Sequence, residues 1–197
     1  MAVFAVTAGI LFHTEFGLIS ATYLITMLAY NIWLKHMVIV DVMIISLGFV
    51  LRAMAGALVL DITISVWLYI CTSLGALFLG FSKRLSELVR ARENAHLQRR
   101  TLASYTPRLL EQIIAVLAAA TLISYALYTF SSESLPDNHA MMLTIPFVMY
   151  GIFRYLYLVK VRHLGEAPEQ IALTDIPLII TFIAWLTSAT AILILFG

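Results

Sequence analysis

Charge is what this sequence has least of. Only 12% of its 197 residues are Asp, Glu, Lys or Arg, against roughly 25% in soluble domains, while 62% are hydrophobic. A water-soluble core of that composition would have almost no exterior to cover it. A soluble globular domain is therefore excluded, and the solvent must be lipid. Cysteine is nearly absent too. Cys71 stands alone, which excludes an intrachain disulfide and a cysteine metal cluster. The histidines, at 13, 36, 96, 139 and 163, include no pair at metal-ligand spacing. A net charge of +1 says nothing about partners by itself, and nothing points to nucleic acid. The opening "MAVFAVTAGILF" lacks the basic n-region and cleavage site of a signal peptide. Residues 2–12 also fall short of the 17 or more, roughly, that a span needs, so they read as a helix whose beginning is missing.

What is present is a series of apolar runs. They predict spans at about 2–12 (clipped), 17–33, 37–60, 64–81, 108–130, 140–159 and 176–196. The short alternating segments of a transmembrane barrel do not occur. The expectation is an all-α, polytopic membrane helical bundle of about seven transmembrane helices, forming one domain over 1–197. No internal repeat or low-complexity tract interrupts it.

The few charges are sorted by side. The face with the links at Lys35, 82–107 and 160–175 holds Lys35, Lys83, Arg84, Arg90, Arg92, Arg99, Arg100, Arg108 at the adjoining span end, Lys160 and Arg162. Arg154 lies one to two turns inside the same face. The opposite links carry Glu15, Asp61, Glu133 and Asp137 and no Lys or Arg. By the positive-inside rule the basic links are cytoplasmic, the N-terminus is inside and the C-terminus outside.

Three polar groupings stand out against this background. In "DVMIISLGFVLRAMAGALVLD", Asp41 and Arg52 are eleven residues apart. That separation turns about 1100°, within about 20° of whole turns, and rises about 16 Å. Ile45 and Gly48 share the stripe. An arginine at the centre of a span costs about 2.5–3.5 kcal/mol on insertion scales and is tolerated beside a partner charge or a cavity. Arg52 is thus either a structural arginine or an anion ligand. Ala53, Gly56 and Ala57 are expected to admit a neighbouring helix. In "FSKRLSELVRARENAHLQRR", the spacing of Lys83, Glu87 and Arg90 places them on one helical face. Lys83 and Arg84 abut the apolar run, where a cavity mouth would lie. Before the last span, Asp175 precedes Pro177 and reads as a helix cap. Lys35 and His36 sit at the end of the 17–33 span, and Lys35 suits interfacial anchoring as well as phosphate. Cations with a few carboxylates at one face suit a phosphate-rich, water-soluble compound that meets a lipid partner.

At "YNIWLKHMVIVDVMIISLGFVLRAMAGA" the chain resembles the UbiA-type polyprenyl transferase family, and within it the decaprenyl-phosphate phosphoribosyltransferase branch. The resemblance continues through "GFSKRLSELVRARENAHLQRRTLASYTPRLLEQ", "YALYTF", "IPFVMYGIFRYLYL" and "GEAPEQIALTDIPL". "KRLSEL" stands where a generic member has a second aspartate-rich motif, and this points to the phosphoribosyl branch. The resemblance implies nine helices around a cytoplasm-facing cavity in a bacterial inner membrane, serving cell-wall synthesis. It implies transfer of 5-phosphoribose from phosphoribosyl diphosphate to a polyprenyl phosphate, with Mg²⁺ as cofactor. Carried over, Lys35, Arg52, Lys83 and Arg84 bind phosphates. Asp41 and Glu87 hold metal, water or ribose hydroxyls, so that Asp41, Arg52 and Glu87 form the expected catalytic set. Tyr30, Tyr105 and Asp175 match the pattern without a derived role.

The family's first motif, Asn-Asp-x-x-Asp-x-x-x-Asp, is missing, since no Asp precedes Asp41. The expectation is an N-terminally truncated enzyme with little activity unless another chain supplies the missing part; an in-frame aspartate motif upstream would mark a truncated enzyme, and a stop codon there a scaffold or a split gene. The rival readings are a prenyl transferase that uses a prenyl diphosphate and an aromatic acceptor, a non-catalytic membrane scaffold, and a transporter. A transporter would show inverted repeats or paired broken helices, and neither is seen. The oligomeric state, a homo-oligomer included, stays open.

Overall fold

The computed structural model describes residues 14–60, 65–93, 102–132, 135–136, 138–162, 164–165 and 167–196. The expected span at 2–12 and the cations Arg99 and Arg100 lie outside them. Described elements are helical throughout, and contacts divide the chain into two units, Met1–Ile64 and Ser65–Gly197.

The first unit holds α1 (Thr14–Ile32), a 3₁₀ turn (Leu34–His36) and α2 (Val40–Val59). Arg52 meets Tyr23, and Gly48 meets Met27, an antiparallel register. A Cβ on Gly48 would stand 2.5 Å from Met27 Cε and 3.4 Å from Tyr23 Cε2. Glycine is what lets α1 approach there. The expected small-residue contact is not at Gly56, where an added Cβ would meet nothing within 4 Å. Helix α2 starts at Val40, three residues later than the apolar run suggests, because the chain reverses at Ile39. Ile39 has φ 70° and ψ −48°, and Val40 N–H donates to the Val38 carbonyl at 2.8 Å. This is a γ-turn with a β-branched residue at its centre, a conformation that costs of order 1–3 kcal/mol.

The second unit holds α3 (Val66–Glu93), α4 (Pro107–Ser131), a 3₁₀ segment (Ala140–Thr144), α5 (Ile145–Lys160), the short α6 (Pro168–Thr174) and α7 (Ile176–Phe196). Helix α3 runs twelve residues beyond the expected span end at 81. At 28 residues it is about 42 Å long, more than the roughly 30 Å of hydrocarbon, so one end must leave the membrane. Its polar end carries Lys83 to Arg90. At the start of α4 the Thr106 hydroxyl accepts the Leu109 N–H at 3.2 Å, with Pro107 in the first turn. Helices α3 and α4 pack closely, with the Cys71 thiol 3.7 Å from the Thr121 carbonyl. Helix α6 forms within the link expected at 160–175.

Among the described residues, five helical stretches are long and apolar enough to cross a membrane: Val40–Val59, Val66–Ala91, Pro107–Ser131, Ala140–Lys160 and Ile176–Phe196. The chain is an all-α, multi-pass membrane protein. The expected 17–33 span is α1, which falls outside those five.

A hydrogen-bonded relay ties three elements of the second unit. Trp185 Nε1 donates to Tyr125 Oη at 2.6 Å, Tyr125 Oη lies 2.6 Å from Thr144 Oγ1, and Thr144 Oγ1 donates to the Met141 carbonyl at 2.6 Å. Thr144 has one hydroxyl proton and spends it on Met141. Tyr125 must therefore donate to Thr144 while accepting from Trp185. Replacing Tyr125 with Phe removes two bonds and leaves the indole N–H unpaired. The expected cost is about 1–2 kcal/mol, read as a lower thermal midpoint in detergent, with a smaller loss for Trp185→Phe.

Candidate functional site

In the second unit the polar end of α3 is enclosed on most sides. Ser82, Arg84, Leu85, Ser86 and Leu88 are all buried, whereas Lys83 and Arg90 are exposed. A buried guanidinium needs a counter-charge. Arg84 is 5% exposed and donates from Nη1 to Glu87 Oε2 at 2.5 Å. Glu87 is one turn on, so helical spacing alone brings the two together. The sequence reading grouped Glu87 with Lys83 and Arg90 by face, but its carboxylate is held by Arg84. The pair is net neutral, and a phosphate would compete with Glu87 for the guanidinium. The link between α5 and α6 also packs on this end. A side chain at Gly165 would collide with Ser86 Oγ and stand 3.0 Å from Val159 Cγ2. Tyr105 is buried directly before α4, with its N–H bonded to the Leu102 carbonyl.

Within the first unit, Lys35 lies in the Leu34–His36 turn, half-buried, and Tyr30 is half-buried on the last turn of α1. Asp41 is fully buried in the first turn of α2. That position suits a carboxylate, because the positive end of the helix dipole favours negative charge. Arg52 is exposed. Its Nη2 donates to Tyr23 Oη, and its guanidinium carbon lies 4.9 Å from the Tyr23 ring centre and 5.5 Å from that of Phe49. Hydroxyl and rings soften the cost of the cation in a span without cancelling its charge. Asp41 and Arg52 share the Gly48 stripe, and its packing partner is α1. The sequence reading missed Tyr23 because only the register of α1 on α2 identifies it.

Asp175 caps α7, accepting the Leu178 N–H at 3.1 Å, as its place before Pro177 suggests. It also forms a bidentate pair with Arg154 of α5, Nε to Oδ1 at 3.1 Å and Nη2 to Oδ2 at 2.9 Å. Arg154 further stacks over Tyr157. Nothing in the sequence marked this pair, which joins residues 21 apart.

No three Asp, Glu, His or Cys side chains converge among the described residues, so these residues build no resident metal cage. Mg²⁺ commonly rests on one or two carboxylates plus substrate phosphates. Asp41 within the first unit, and separately Glu87 within the second, would each fit as a single ligand to a cation that arrives on a diphosphate.

No protein-family model matches the chain. Curated relatives do. The chain is 34% identical over 179 residues to decaprenyl-phosphate phosphoribosyltransferase of Mycolicibacterium smegmatis, covering 86% of this chain and 56% of the relative. It is 32% identical to the Corynebacterium glutamicum protein of the same name over 194 residues, 94% of this chain and 57% of the relative. The Mycobacterium tuberculosis protein of that name is 32% identical over 175 residues, 89% of this chain and 57% of the relative. Over most of its length the chain is similar to these transferases. It spans just over half the length of the curated relatives it matches.

The Arg154–Asp175 pair is measurable apart from any activity. The guanidinium, and secondly the Leu178 N–H, hold the Asp175 carboxyl below its ordinary pKa of 3.8. A depressed folded-state pKa adds stability above 3.8 that is lost as pH falls through the depressed value. Asp175→Asn keeps a capping side chain and loses the ion pair, whereas Asp175→Ala loses both. Thermal midpoints should fall in the order wild type, Asn, Ala, and the acid-dependent part of the decline should vanish in both variants.

Proposed function

We propose that the protein transfers 5-phosphoribose from phosphoribosyl diphosphate to decaprenyl phosphate or a similar polyprenyl phosphate. The observation that carries this reading is the 32–34% identity over most of the chain to relatives bearing that name. In the reaction a lipid phosphate oxygen bonds to ribose C1. The bond from C1 to the diphosphate oxygen breaks, and its electron pair leaves with diphosphate. Such a step needs placement and charge stabilisation more than covalent help from the protein. In the first unit Lys35 and Arg52 bind phosphate, and Asp41 binds a ribose hydroxyl, a water or the cation. In the second, Lys83 and Arg84 bind phosphate, and Glu87 shares the role of Asp41. Mg²⁺, when bound, would neutralise charge on the leaving diphosphate; Asp41 within the first unit and Glu87 within the second are each a carboxylate that could hold it. Tyr30 and Tyr105 are candidates for supporting contacts. The basic links lie on the cytoplasmic side of a bacterial inner membrane, where a soluble phosphorylated sugar is available, and the C-terminus lies outside.

The decisive assay supplies each donor in turn. Membranes carry this chain, with and without the part of the M. smegmatis relative that it does not span. Labelled phosphoribosyl diphosphate should label decaprenyl phosphate, with little transfer from the chain alone. Transfer from a prenyl diphosphate to an aromatic acceptor, with none from phosphoribosyl diphosphate, would reject the reading. In the active membranes Arg52→Leu should insert normally and lose turnover about a hundredfold or more. Tyr23→Phe, which keeps the ring under the guanidinium, should stay within about tenfold of wild type.

A further inference from the structure

The most strained point among the described residues that φ marks is Ile39, one of two positive-φ residues other than glycine, the other being His139. Histidine tolerates that region better than a β-branched residue does. The side chain of Ile39 is 42% exposed, so it lies outside the buried core. The strain is maintained by backbone. Val40 N–H closes the γ-turn on the Val38 carbonyl at 2.8 Å, and the Ile39 carbonyl accepts from both Val42 and Met43 at 3.1 Å. Asp41 N–H reaches back to the Met37 carbonyl at 3.1 Å, and Met37 N–H to Leu34 at 3.1 Å. One continuous run of bonds therefore connects the 3₁₀ turn that carries Lys35 to the helical turn that carries the fully buried Asp41. A relaxed residue at 39 would let the direction between those two turns drift. Strain kept outside the buried core is expected where a geometry is being enforced.

We propose that the strained turn at Ile39 is a positioning device that fixes the Asp41 carboxylate relative to the Lys35 ammonium, so that both meet the phosphorylated donor in one arrangement. This rests on the transfer reading above. Ile39 touches no reacting atom in this role and acts through its two neighbours. Glycine adopts φ 70° without penalty, so Ile39→Gly relieves the strain and frees the turn, while Ile39→Val keeps the β-branch and the constraint.

The test uses the active membranes of the donor assay together with melts of the same purified variants. Ile39→Gly should melt at the wild-type temperature or above it while kcat with phosphoribosyl diphosphate falls about tenfold to a hundredfold. Backbone hydrogen exchange at Val40–Met43 should quicken, and Ile39→Val should match wild type in every measurement. A glycine variant with kcat within about twofold of wild type overturns the proposal. So does a loss of activity that merely follows a lowered midpoint, since that is a structural residue. Wild-type membranes that move no phosphoribose would overturn the transfer reading and this role with it, an outcome seen before any variant is made.

Discussion

Hydrocarbon offers a polar group no partner, so every donor and acceptor in the spans has to be answered from within the chain. That constraint orders most of what the structure shows. Hydroxyls in the helices fold back on carbonyls one turn earlier, as Thr22, Thr72, Thr121 and Thr181 do. The Tyr125 hydroxyl is shared between Trp185 and Thr144. Cations follow the same rule in three chemical forms. Arg52 is met by a phenol and two rings, Arg84 by a carboxylate on its own helix, and Arg154 by a carboxylate across a link. Lys83, between buried neighbours, stays exposed.

Much of the fold was legible in the sequence because lipid as solvent makes apolar length informative. The last span matches Ile176–Phe196, and the runs at 108–130 and 140–159 lie close to Pro107–Ser131 and Ala140–Lys160. Where the reading stopped short, polar residues in a continuing helix were the reason. Helix α3 runs on to Glu93 because its charged residues are good helix formers, and hydropathy does not register that. The reversal at Ile39 was invisible for the opposite reason: no glycine, asparagine or proline marks "MVIVD".

Within the candidate site, local features were readable and long-range ones were not. The capping role of Asp175 follows from its place before Pro177, but its partner Arg154 does not. The stripe joining Asp41, Gly48 and Arg52 follows from helical periodicity. That this stripe packs on α1, with Tyr23 under the guanidinium, needs the register of two helices. Glycine shows the same limit. Gly48 and Gly56 are equivalent in sequence terms, yet a neighbour fills the space beside Gly48 alone.

Arg84 shows how the solvent constraint and the proposed chemistry bear on one residue. Left unpaired in its buried site, its guanidinium would cost several kcal/mol, so the protein cannot keep it waiting bare for a phosphate. A counter-charge on another helix would solve that at the expense of a helix movement whenever substrate arrived. Glu87 is one turn away on the same helix and only half-buried. It can give up the guanidinium by a change of rotamer and take its charge toward solvent. In the proposed reaction an incoming phosphate would exchange one anion for another at a cation that is never without one, and the desolvation cost of Arg84 would be met in both states. The same exchange would free the Glu87 carboxylate for a ribose hydroxyl or a phosphate-borne cation, so that filling one role makes the other available.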